Sequence, residues 1–127
     1  MKTTVLIARN LLGILFLVFG LNGFLQFIPM PPPTGVAGQY MGTLFVSHYL
    51  VPVFLLQLAG GIILLTNRFV PLALALLGPV IVNIILFHAL MAPEGLPLAL
   101  VATALWLVVF YSVRGAFAGV FSMKGTS

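Results

Sequence analysis

Acidic side chains are nearly missing from this chain: one Asp or Glu stands against five Lys or Arg, and cysteine is absent altogether. Without thiols there is no disulfide exchange, no thiolate nucleophile, no Cys-ligated zinc and no iron–sulfur cluster. Charge of either sign is scarce, at 5% of 127 residues, whereas soluble domains carry about a quarter. A water-exposed surface cannot be built from that supply. The net charge of +4 does not indicate nucleic acid, because five cations scattered along the chain form no patch. What is abundant is apolar: 62% of the residues, with a mean hydropathy of +1.29. The solvent expected for most of the chain is lipid.

The apolar residues fall into four segments, at about 10–28, 49–66, 69–91 and 96–113, each near the roughly 20 residues that a bilayer core requires. In lipid every backbone group must be paired internally, and a chain this short cannot close a barrel, so the segments are expected as helices. Lys2 and Arg9 precede the first segment, which is longer than the apolar core of a cleaved signal; it is expected as a retained span, although Gly35-Val36-Ala37 loosely resembles a cleavage site. Arg68 lies between the second and third segments, and Arg114 and Lys124 follow the fourth. All five cations therefore fall on one side, which the positive-inside rule makes cytoplasmic, together with both termini. The setting expected is a bacterial-type inner membrane.

The connections differ in kind. Thr66-Asn67-Arg68 reads as a tight inner turn, with Asn67 as N-cap of the third span. Ala92-Pro93-Glu94-Gly95 reads as an equally short outer turn, with Pro97 in the first turn of the fourth span. The longer outer connection begins with an extended Pro31-Pro32-Pro33 run. Over 34–47, apolar Ala37, Tyr40, Met41, Leu44 and Phe45 recur at amphipathic helical spacing, opposite Gly38, Gln39, Gly42 and Thr43. That helix carries no basic residue and is expected as a lid, about 18 Å long at helical rise, across the outer end. The expected fold is all-α: one domain over 1–127, a transmembrane antiparallel four-helix bundle with a short amphipathic outer helix between the first two spans.

This threading gathers the polar side chains in the outer half. Asn22 and Gln26, four apart, share a helix face near the outer end of the first span. His48 stands at the outer start of the second span, on the apolar side of the lid pattern. His88 lies near the outer end of the third, and Asn83 about 7.5 Å deeper. Intramembrane polar groups tend to face the interior and mark sites, so these five are the candidates for holding a quinone or a lipid under the lid. The plainer account is that they bond across helices or cap helix ends. His48 and His88 share a depth that would admit a tetrapyrrole between them, but headgroup water satisfies such rings at little cost. Two histidines and one distant acid supply no metal-binding spacing. Glu94 suits the N-terminal dipole of the fourth span, and Arg9 is expected to snorkel to the headgroups. Gln57, beside Gly60-Gly61, is expected to bond across a close helix contact, and Pro79 to bend the third span. No internal repeat and no midplane charge point to transport.

Arg9 with "LLGILFLVFGLNGFLQFIPMP", followed by "LAGGIILLTNRFVPLALALLGPVIVNIILFHALMAPEGLP", resembles the DoxX-like group of small four-helix membrane proteins over nearly the whole chain. The Phe-Ile-Pro-Met-Pro element and the Asn-x4-His element carry the resemblance most specifically. It implies the four-helix fold, a link to thiosulfate:quinone oxidation, and Asn22, Asn83 and His88 as site positions. Members often carry a glutamate before the glycine pair and another acid midway along the last helix. Gln57 and Trp106 stand there in this chain, so two groups able to carry protons in a low dielectric are replaced. With no catalytic residue to name, the leading expectation is a non-catalytic membrane subunit or accessory protein. It would pack among membrane lipids and other integral membrane proteins in a larger redox or photosynthetic complex. The alternative is a quinone-linked oxidoreductase subunit of the DoxX type.

Overall fold

The computed structural model describes residues 2–28, 32–120, 122, 123 and 125, and every regular element in it is helical. Five α-helices follow in order: α1 (Lys2–Leu25), α2 (Gly35–Val46), α3 (Leu50–Thr66), α4 (Val70–Leu90) and α5 (Leu96–Ser112). Two 3₁₀ turns, Pro93–Gly95 and Arg114–Phe117, flank α5. Pro31 and Lys124, which entered the expected loop and charge pattern, lie outside the described residues.

Three stretches, Lys2–Leu25, Val70–Leu90 and Pro93–Ser112, are long and apolar enough to cross a membrane. The α2–α3 pair makes a fourth if counted as one span, bent by 87° at its break. That bend is local chemistry. Tyr49 N–H donates to Leu44 O (3.0 Å) and His48 N–H to Phe45 O (3.2 Å), the paired bonds of a Schellman motif, with His48 left-handed at φ 62°. The same motif closes α3: Arg68 N–H reaches Ile63 O, Asn67 N–H reaches Leu64 O, and Asn67 has φ 55°. Asn67 thus ends α3 rather than capping α4. The N-cap of α4 is Phe69, which makes no side-chain cap bond, and proline stands in the first turn. α4 runs through Pro79 as one helix.

α1 packs mainly on α3, α3 on α4, α4 on α5, and α5 returns to α1. Glycine sets the α1–α3 distance. A Cβ on Gly61 would lie 2.8 Å from both the Gly13 carbonyl oxygen and the Leu17 nitrogen, so only hydrogen fits between the two backbones. Further along, Gly20 meets Leu58 and Gly23 meets Phe54, so positions that rise along α1 fall along α3. The fully buried large side chains are Leu12 and Phe16 on α1, Leu64 on α3, Leu74 and Leu77 on α4, and Val109 on α5. All come from the half containing the start of α1, the α3–α4 corner and the end of α5. α2 touches the bundle sparingly: Ala37 is buried and the Tyr40 ring stacks on Phe87 at 5.7 Å, while Phe45 and Val46 stay exposed.

Candidate functional site

The five polar residues expected to converge under α2 do not converge. Asn22 Oδ1 accepts from Ile28 N–H at 2.8 Å, so it caps the end of its own helix. α1 stops at Leu25, and Gln26 turns left-handed at φ 52° with its N–H on Asn22 O. The expected shared face of Asn22 and Gln26 therefore does not exist, because the second amide has left the helix. Gln26 is exposed.

His48 is exposed too, because its place in the Schellman turn sets it at the α2–α3 corner instead of on the apolar face of α2. Asn83 is exposed on α4, and its Nδ2 donates to Pro79 O, one turn earlier in the same helix (2.9 Å). This back-bond satisfies the amide locally, as polar side chains in apolar helices often are. His88, like Asn22, keeps a half-buried position. Its Nδ1 lies 3.1 Å from Ala92 O, and since a carbonyl can only accept, Nδ1 is the donor in this contact. The His88 ring covers Gly95 so closely that any side chain there would collide with it. It also meets the Phe87 ring edge to face, and Phe87 carries Tyr40 of α2. Among the described residues no three His, Asp or Glu come together in a way that could hold a metal ion.

Two residues read as minor from the sequence prove central. Arg9 does not snorkel outward: it is buried, 9% exposed, and its guanidinium donates to Leu64 O. That carbonyl belongs to the last turn of α3, where the helix dipole favours a cation. Gln57 is also buried, 7% exposed, but its amide makes no hydrogen bond to another described residue. The expected bond across the glycine contact is absent. On α5, Trp106 Nε1 donates to Leu74 O of α4 at 3.1 Å, and its ring stacks on Phe110 at 5.2 Å.

Arg9 borders a cavity of about 410 Å³ at the end opposite α2, between the start of α1, the α3–α4 corner and the end of α5. Lys2 and Arg114 share its lining, and most of the remaining surface is aliphatic. No family model, curated protein or solved structure matches this chain.

Proposed function

We propose that the chain is an integral membrane protein of four antiparallel spans, with its basic end on the cytoplasmic face of a bacterial-type inner membrane. In this reading it is a non-catalytic accessory subunit of a larger redox or photosynthetic membrane assembly. One observation carries the reading: large aliphatic side chains stand outward on every long helix, such as Ile7 and Leu11, Leu55 and Ile62, Leu72 and Val82, Leu98 and Leu107. Polar groups along the same helices are satisfied by backbone carbonyls, as with Asn83 on Pro79 O, Thr103 on Ala99 O and Trp106 on Leu74 O. The surface left for neighbours is apolar, which suits lipid and other membrane helices. The opposite running of α1 and α3 and the gathering of Lys2, Arg9 and Arg114 at one cavity support the threading. Native gels of gently solubilised membranes test the assignment, with a defined partner at fixed stoichiometry as the expected result. Recovery solely as a monomer or self-oligomer would overturn it.

The second reading, a quinone- or lipid-holding subunit of the DoxX type, rests on His88 alone. With Nδ1–H held by Ala92 O, Nε2 is the ring nitrogen left to meet a ligand, beside the Phe87–Tyr40 stack. Extraction of quinone from purified protein, lost in His88→Ala, would favour this reading; quinone-free protein would dismiss it.

A further inference from the structure

Among the described residues, the cavity at the basic end holds positive charge with no carboxylate in its lining. Lys2, Arg9 and Arg114 all line it, and the only acidic side chain in the sequence, Glu94, stands beyond the far end of α4, about 30 Å away at helical rise. Arg9 is the most constrained of the three. It is nine-tenths buried, and of the five N–H donors of a guanidinium only one finds a hydrogen-bond partner among the described residues, the Leu64 carbonyl. None of its nitrogens is both fully buried and unpaired, so the remaining donors open onto accessible surface at the cavity, where an anion would complete their shell. Arg114 is set from the rim: its Nη1 donates to Tyr111 O at 2.6 Å and its guanidinium lies 3.9 Å over the Tyr111 ring. Two planar forks and an ammonium around one opening form a donor set that matches phosphate oxygens.

The walls decide what carries the phosphate. Val5, Leu6 and Val113 line the cavity with aliphatic surface, and its volume of about 410 Å³ has room for carbon as well as a head. A free phosphate gains nothing from such walls, whereas the glycerol and first acyl carbons of a phospholipid do. We infer that this cavity binds the phosphoryl headgroup of an anionic phospholipid, with Arg9 as the buried anchor and Lys2 and Arg114 closing over it. The inference rests on the membrane reading above.

The test is native mass spectrometry of delipidated, detergent-purified protein titrated with phosphatidylglycerol, phosphatidylcholine or inorganic phosphate. Phosphatidylglycerol is expected to bind in preference to phosphatidylcholine, and millimolar inorganic phosphate is expected not to displace it. Each of Lys2→Gln and Arg114→Gln, both at exposed positions where the fold should survive, is expected to lower that preference about five-fold. Arg9→Gln is expected to abolish the preference, with circular dichroism reporting whether the helices remain. Equal retention of the two lipids, or a preference unchanged in both rim variants, overturns the proposal. Displacement by inorganic phosphate overturns the lipid assignment. Carbonate extraction of cell membranes is the separate check on the underlying reading: protein released by carbonate refutes membrane integration, whatever the lipid titration gives.

Discussion

The two ends of this helical bundle are built on opposite plans. At the basic end, Leu12, Phe16, Leu64, Leu74, Leu77 and Val109 are fully buried around a guanidinium that joins α1 to the last turn of α3. At the α2 end the buried residues are small, Ala37, Ala92, Ala99 and Ala102, and the larger rings of Tyr40, Phe87 and His88 are only partly covered. One end is an interdigitated core; the other is a set of helix ends, each closed by its own turn. The lesson is that polar residues do not identify the organised end here. Asn22, Gln26, His48 and Asn83 mark the end that is held together least.

The sharpest way to break this comparison is to remove one phenylalanine from each end. Phe16→Ala empties a fully buried site and is expected to cost about 3 kcal/mol, toward the lower end of the range if, as proposed, lipid replaces water as the competing environment. Phe87→Ala, at a half-buried position, is expected to cost about 1 kcal/mol. Reversible unfolding in mixed micelles measures both, and equal losses would mean that the two ends share one core.

A second prediction concerns the seam joining the ends. Gly61→Ala would set a methyl group 2.8 Å from backbone atoms of Gly13 and Leu17, which cannot swing aside as a side chain could. A loss of about 2 kcal/mol is expected, with the helix content kept. Gly42→Ala, where a Cβ meets nothing within 4 Å, is the matched control on α2 and should change stability by less than about 0.5 kcal/mol.

Most of the fold is legible in the residues. The apolar runs place α1, α3, α4 and α5 to within a few positions, except that α1 begins eight residues earlier than expected, at Lys2 rather than Asn10. α2, at Gly35–Val46, matches the amphipathic spacing of 34–47 almost residue for residue. The side-chain destinations are not legible, and the reason is local. Whether Gln26 and His48 face a bundle depends on where a helix turns left-handed, and hydrophobic periodicity carries no sign of that. Asn83 could bond across helices or back to Pro79 O, and only the backbone geometry chooses. Its place at the membrane entry makes Arg9 a cation expected to snorkel to the headgroups. Its burial follows from α3 ending at the same level, a tertiary coincidence that no single segment encodes.

His48 offers a smaller and cleaner test of what the α2 end is for. In a left-handed turn, an L side chain other than glycine costs roughly 1 kcal/mol. If His48 serves only to turn the corner, His48→Gly should raise stability by up to that amount and leave any bound pigment or lipid unchanged. Loss of a co-purifying chromophore would instead restore the tetrapyrrole pairing with His88.

Gln57 lies between the two plans, and its substitution tests which of them reaches the middle of the bundle. It is buried on α3, one turn before Gly60 and Gly61, and its amide bonds to no described residue. No side-chain nitrogen or oxygen among the described residues is both fully buried and unpaired, so the Gln57 amide keeps some accessible surface, where a ligand or a partner helix could meet it. Gln57→Met keeps the length and flexibility of the side chain while removing both polar atoms. If the residue only fills space between α1 and α4, Met should be neutral or stabilise the protein by up to about 1 kcal/mol. If the amide instead meets a ligand or a partner helix in the native membrane, Met should leave the isolated protein as stable as before and weaken that association. The comparison therefore needs two readouts on one variant: unfolding of the purified chain and recovery of the native assembly. A clear loss of stability in the purified chain would show a polar contact inside the bundle, and the loosely built half would then extend no deeper than α2 and the turns beneath it.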